Sequence, residues 1–237
     1  MTLASLFAKA SVPALVSALA LAFAGSVSAA SLTEGFDTVV PAGWTANNNS
    51  QPLGVTGWFQ GNPDVFEAYS GDPDSYAGAN FNNTAGTGTI SNWLIAPTML
   101  FNNGDVVSFY TRTTDAGGIV YPDRLQLRFS AVGGTDVGSL ATDVGSFNSL
   151  MLSVNPTLVD LYPREWTKFS ATISGLAGAT TGAVALRYFV TNGGPAGANS
   201  DYIGVDDFSI TAVPEPSTWA LMALGLGAVA LRRKRVS

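Results

Sequence analysis

The sequence predicts an all-β protein, an antiparallel jelly-roll β-sandwich, with a signal peptide before it and a short transmembrane helix after it. Three observations carry that prediction. Short segments alternate apolar and polar residues with a period of two. Clusters of Gly, Asn, Asp and Pro separate them. No stretch of the central region holds a sustained 3.6-residue apolar stripe, so helical spacers between the strands are not expected.

The first element is residues 1–30. Lys9 precedes an apolar run through Leu15, Val16, Leu19, Leu21 and Phe23, which closes on the small residues 25–30. That order is the pattern of a secretory signal peptide cleaved after Ala29 or Ala30. The body, residues 31–212, is one domain's worth of chain. In residues 123–130, Leu125, Leu127 and Phe129 face one way while Arg124, Gln126 and Arg128 face the other. Residues 106–112 and 183–190 read similarly, the latter placing Val184, Leu186, Tyr188 and Val190 on one side. Further strands are expected at Trp58-Phe59, Trp93-Leu94-Ile95, 166–172 and 202–211, with turns at 102–105, 133–136 and 192–195. Asn47, Asn48, Asn49, Asn82 and Asn83 read as loop residues, and no internal repeat is visible.

Composition excludes several functions. The 237 residues contain no cysteine and no histidine. A Ser-His-Asp triad, a cysteine nucleophile and a His/Cys zinc site are therefore out of reach. Without disulfides, the core or a bound metal must hold the domain together. The body has six cations against sixteen acids. Such a surface argues against nucleic acid, whose binding rests on cations neutralising phosphates, and suits divalent cations.

The last element is residues 213–237. Val213-Pro214-Glu215-Pro216 ends the final strand, because neither proline can donate to a ladder. About fifteen apolar residues follow, short against the roughly 17–25 of a stable span, and then Arg232-Arg233-Lys234-Arg235. The basic cluster would stay cytoplasmic, leaving the body outside, with Trp219 near the outer interface. This order closely resembles the PEP-CTERM sorting signal of Gram-negative bacteria. The resemblance implies an exosortase as partner, transient anchoring in the inner membrane, release to the cell surface or medium, and an association with exopolysaccharide. A plain membrane anchor is the alternative.

Segments of the body resemble the choice-of-anchor J family, related to cleaved-adhesin domains of bacterial surface proteins. They are Glu34-Gly35-Phe36-Asp37 leading to Pro41-Ala42-Gly43-Trp44, residues 92–97, 107–112 and 121–130, Trp166, residues 185–189, and 203–210. The resemblance implies a jelly-roll sandwich in secreted proteins and no defined catalytic activity.

One feature can be read physically. In the last strand Ile203 and Val205 share one parity, while Phe208 and Ile210 share the other. A β-bulge at Asp206-Asp207 would restore one apolar face and re-aim a carboxylate. First and last strands of such sandwiches are commonly neighbours. The expected metal site is therefore a structural Ca²⁺ held by Asp207 or Asp206 with Glu34, completed by carbonyls and water. A solvated acidic pair is the alternative.

Asp72-Pro73-Asp74 reads as a turn, since it lacks the later glycine and glutamate of an EF-hand loop. Arg112 and Arg128 either solvate a strand face or bind an acidic sugar. Trp44, Trp58, Trp93 and Trp166 are expected in the core, with a sugar-stacking platform as the alternative. Three functions fit: a non-catalytic cell-surface or matrix protein in contact with extracellular polysaccharide, a carbohydrate-binding module, and a two-carboxylate glycoside hydrolase. The first is the expected one.

Overall fold

The computed structural model describes residues 31–115, 117–213 and 224–225. The described residues form thirteen strands, all paired antiparallel: β1 (Leu32–Glu34), β2 (Thr45–Asn48), β3 (Gln51–Leu53), β4 (Phe59–Gln60), β5 (Ala77–Asn80), β6 (Thr84–Ile95), β7 (Met99–Phe101), β8 (Val106–Thr113), β9 (Leu125–Ser130), β10 (Ser149–Val154), β11 (Thr167–Thr172), β12 (Thr180–Gly193) and β13 (Tyr202–Thr211). The first sheet runs β11-β8-β13-β5-β4, and β1 adds to β13. The second runs β10-β9-β12-β6-β2, with β3 on β6 and β7 on β12. First and last strands are neighbours: Leu32 pairs with Ile210 and Glu34 with Phe208.

The inward faces form one core. Leu125, Leu127 and Phe129 of β9 and Val184, Leu186, Tyr188 and Val190 of β12 meet Val107 and Phe109 of β8 and Ile203, Val205, Phe208 and Ile210 of β13. Burial of such side chains is the main favourable term in folding, at about 1.5–3 kcal/mol each. The expected bulge is present. The register of β13 against β8 slips between Asp206 and Ser209, Asp207 has φ 45°, and Phe208 returns to the core.

The outer faces are less wet than the alternation predicts. Residues 131–148 fold over the second sheet, where Val137 and Phe147 pack on Trp93, Ile95, Ala183 and Ala185. Gln126 is consequently buried and Arg128 half-buried, its Nη1 donating to Phe147 O. Arg187 is buried beneath the same loop. It donates to Ser91 Oγ and to the carbonyls of Ala141 and Asp143, between the rings of Trp93 and Phe189. Burial away from any paired carboxylate, reinforced by Arg128 and Arg124, lowers its pKa to about 9. Asn47 and Asn48 lie in β2 rather than in a loop, because Asn48 anchors the strand end by donating to Thr56 O and Asn83 O. Asn82 and Asn83 sit in a 3-10 turn, Phe81–Asn83.

The expected signal peptide and, apart from residues 224–225, the apolar tail lie outside the described residues, as do Pro214, Glu215, Pro216, Arg232, Arg233, Lys234 and Arg235. Among the described residues no helix is long and apolar enough to cross a membrane. Val213 is described, and its N–H donates to Asp105 Oδ1.

Candidate functional site: a hydroxyl-floored trough

The outer face of the first sheet is half covered. Residues 61–76, between β4 and β5, lay Phe66 and Tyr76 over Tyr202, with Trp166 beside them. Gly204 permits this approach: a Cβ there would stand 2.7 Å from Phe66 and 2.8 Å from Trp166. The cover ends at Tyr69, and beyond it the sheet is open.

The open part is a groove of about 440 Å³, lined by Thr33, Glu34, Gly35, Tyr69, Ser108, Tyr110, Lys168, Asp207, Phe208 and Ser209. Its floor follows from strand register. Thr33 of β1 lies opposite Ser209 of β13, Ser209 opposite Ser108 of β8, and Ser108 opposite Ser170 of β11. Thr33, Ser209 and Ser108 thus floor the groove across three strands, about 10 Å at the usual strand spacing, and Ser170 continues the row beyond it. The Ser108 and Ser209 hydroxyls are 2.9 Å apart. The wall is aromatic. Tyr69 stacks on Tyr110 with ring centroids 3.7 Å apart and planes at 15°. The Tyr69 hydroxyl donates to that of Tyr110 at 3.0 Å, and this bond raises the Tyr69 phenol above its ordinary pKa. Lys168, opposite Tyr110, places its Nζ 5.7 Å from the Tyr110 ring centroid.

Asp206 fixes this wall. It is fully buried, and its carboxylate accepts the amides of Tyr69 at 2.9 Å, Ser70 at 3.1 Å and Asp207 at 2.6 Å. Burial raises its pKa to about 6, against those amides, which lower it. Asp207, displaced by the bulge, accepts the Ser70 hydroxyl at 2.7 Å and lines the groove. Of the three acids expected around calcium, Glu34 and Asp207 line the groove together. Asp206 does not, because backbone amides occupy its oxygens. Among the described residues no group of three acids converges as a metal cage.

The other sequence candidates have structural roles. Asp72 O accepts Ser75 N, a turn at Asp72-Pro73-Asp74. Arg112 lies over the Phe66 ring, 4.5 Å from its centroid, and stands 3.7 Å from Glu165. Trp44, Trp58 and Trp93 are buried, whereas Trp166 is half-buried in the aromatic cover and donates to Glu67 O.

Sequence reasoning passed over Asp123, which is buried where β8, β12 and β13 meet. Its Oδ1 accepts Tyr188 Oη–H at 2.6 Å and Asp201 N–H at 2.9 Å, and Thr113 Oγ1 is 2.7 Å from Oδ2. Burial raises its pKa to about 6 against these bonds. Tyr69, Tyr110 and Lys168 were also passed over. Tyr110 had a signal, an aromatic of outward parity between Ser108 and Arg112; Tyr69 had none.

A comparison with curated proteins finds no match. The domain is similar to the K1 cleaved adhesin domain of Lys-gingipain from Porphyromonas gingivalis W83, at 21% identity and TM-score 0.55, covering 78% of this chain and 99% of that one. It is also similar to the K3 cleaved adhesin domain of the same protein, at 18% identity and TM-score 0.51, covering 76% and 98%. A more distant likeness is to TmCBM61 in complex with β-1,4-galactotriose, at 16% identity and TM-score 0.41, covering 76% and 94%. The two cleaved-adhesin likenesses show the β-sandwich fold. The PEP-CTERM protein-sorting motif matches residues 212–235. The chain is an exported, extracellular or surface protein that carries a PEP-CTERM sorting signal for an exosortase behind a cleaved-adhesin-like β-sandwich.

Proposed function

We propose that this is a non-catalytic cell-surface or matrix protein, held at the inner membrane by its tail, released by the exosortase, and working in contact with extracellular polysaccharide. The observation that carries the reading is the sorting motif directly behind the last strand of the sandwich. Its non-catalytic character is supported by the two acids whose pKa reaches about 6, Asp123 and Asp206. Both are enclosed by hydrogen-bond donors rather than presented to a substrate.

The test is intact mass and cell fractionation of the protein from its host, with and without the exosortase. The expected product lacks residues beyond about Val213 and lies outside the inner membrane. A full-length chain retained in that membrane in both strains would make the tail a plain anchor and sink the reading.

Calcium belongs to this proposal in a narrowed form. Glu34 and Asp207, with carbonyls and water, are the ligands for a weak structural ion of the kind found in extracellular modules, with affinities of about 10⁻⁴–10⁻³ M. A melting temperature unchanged by millimolar calcium would remove it.

A further inference from the structure

We propose that the trough on the first sheet is a binding site for a neutral oligosaccharide, a pyranose ring of which stacks on Tyr69. The inference deepens the polysaccharide reading above by giving it a site and a ligand class.

Three features point to a sugar. The floor is a row of small hydroxyl residues, Thr33, Ser209 and Ser108, continued past the groove by Ser170 in register; they leave depth above the sheet and offer groups that both donate and accept. The wall is an aromatic that is 44% exposed and held rigidly, from behind by its stack on Tyr110 and from its backbone by Asp206. An exposed, preorganised ring with a polar rim suits a ligand having one apolar C–H face and hydroxyls around its edge. The charged lining groups, Glu34, Asp207 and Lys168, add strong acceptors and a strong donor around that floor. At about 440 Å³ the groove is of ordinary ligand-site size.

Charge selects the class. Two carboxylates face the groove, and the single ammonium is already over the Tyr110 ring. In calcium-free buffer, the condition for the titration below, a uronate polymer would meet Glu34 and Asp207 with no cation between them, in a body whose acids outnumber its cations by ten. Neutral hexose or pentose chains meet no such cost.

The experiment is calorimetric titration of the full-length chain in detergent. The probes are neutral gluco-, galacto- and xylo-oligosaccharides and an oligogalacturonide of matched length. The expected result is binding of at least one neutral series, and weaker or no binding of the oligogalacturonide. Tyr69→Ala is expected to weaken the neutral ligand by about tenfold or more, roughly 1.4 kcal/mol. Tyr69→Phe, which keeps the ring, is expected to stay within about threefold of the parent, roughly 0.7 kcal/mol. Thermal melts of both variants check the fold, and Asp207→Asn supplies a second lesion in the groove if Tyr69→Ala unfolds.

Neutral binding that neither Tyr69→Ala nor Asp207→Asn weakens would overturn the site while leaving polysaccharide contact intact. No binding by any neutral series, or preference for the oligogalacturonide, would overturn the ligand class. The exosortase fractionation decides the sorting reading separately.

Discussion

Below about pH 6, Asp123 is expected to be a neutral acid in the folded protein, and Asp123→Asn isolates that role. Thr113 Oγ1 lies 2.7 Å from Asp123 Oδ2 and 2.9 Å from Tyr202 O, yet a threonine hydroxyl has one proton. If that proton goes to the Tyr202 carbonyl, the contact with Oδ2 needs a proton on Asp123. If it goes to an ionised Oδ2, the Tyr202 contact is acceptor against acceptor. A protonated Asp123 satisfies every group: it donates through Oδ2 to Thr113 and accepts through Oδ1 from Tyr188 and Asp201. Desolvation, the main cause, raises its pKa from 3.8 to about 6. A folded pKa above the unfolded one gives stability that is complete below pH 3.8 and lost as pH rises through about 6. The rise corresponds to about 3 kcal/mol at roughly 1.4 kcal/mol per pKa unit. In Asp123→Asn the amide N–H replaces the carboxyl proton toward Thr113 at every pH, and the amide oxygen keeps both donors. Its second N–H lacks an evident acceptor, so the variant is expected to be about 1 kcal/mol less stable at pH 4. It should be about 2 kcal/mol more stable at pH 7, a swing of about 3 kcal/mol and a change in relative melting temperature of roughly 6–12 °C for a domain of this size. Calorimetric melts of both proteins from pH 4 to pH 7.5 measure it. A variant less stable at pH 7 than at pH 4, relative to the parent, would show that Asp123 works as a buried anion and refute the argument.

Asp206→Ala should strip the Tyr69, Ser70 and Asp207 amides of their acceptor and destabilise by about 2–3 kcal/mol. Hydrogen exchange at residues 69–70 should rise first, and unchanged exchange there would count against Asp206 as the anchor of the wall. Arg187→Met leaves the carbonyls of Ala141 and Asp143 without their donor, and is expected to cost about 2–3 kcal/mol. Limited proteolysis should then cut within residues 131–148 before anywhere else. Gly204→Ala drives a methyl into the rings of Phe66, Trp166 and Tyr76 and should destabilise by about 1–3 kcal/mol, read from chemical denaturation. Insensitivity there would mean the aromatic cover lifts freely from the sheet.

What was legible in the sequence is what a strand records about itself. The parity change between Val205 and Phe208 located the bulge, because a period of two cannot keep Ile203, Val205, Phe208 and Ile210 on one face without an extra residue. The same period found the inward sides of β8, β9 and β12. It misjudged their outward sides. Gln126, Arg128 and Arg187 look like a solvated face in sequence, but a loop from residues 131–148 arrives to cover them, and no local pattern in β9 or β12 announces it. β1, β2, β3, β5, β7 and β10 also went unread. Several are only three or four residues long, too short for alternation to show, and strand register with a longer neighbour makes them.

The trough lies at the junction of these two kinds of information. Its floor was written in strand parity: Ser108 and Ser209 are outward residues of segments already read as strands. Its wall was not, since Tyr69 belongs to a loop 137 residues from the Asp206 that holds it. Asp206 and Asp207, neighbours in sequence, are therefore put to different uses by the bulge. Asp206 is buried to fix the loop, and Asp207 is turned into the groove the loop encloses. Sequence offered either of the pair, with Glu34, as a ligand for an ion. The geometry divides the pair between holding the site and lining it, so Asp206→Ala should disturb Tyr69 and the fold together, whereas Asp207→Asn should alter what the groove binds and leave the fold standing.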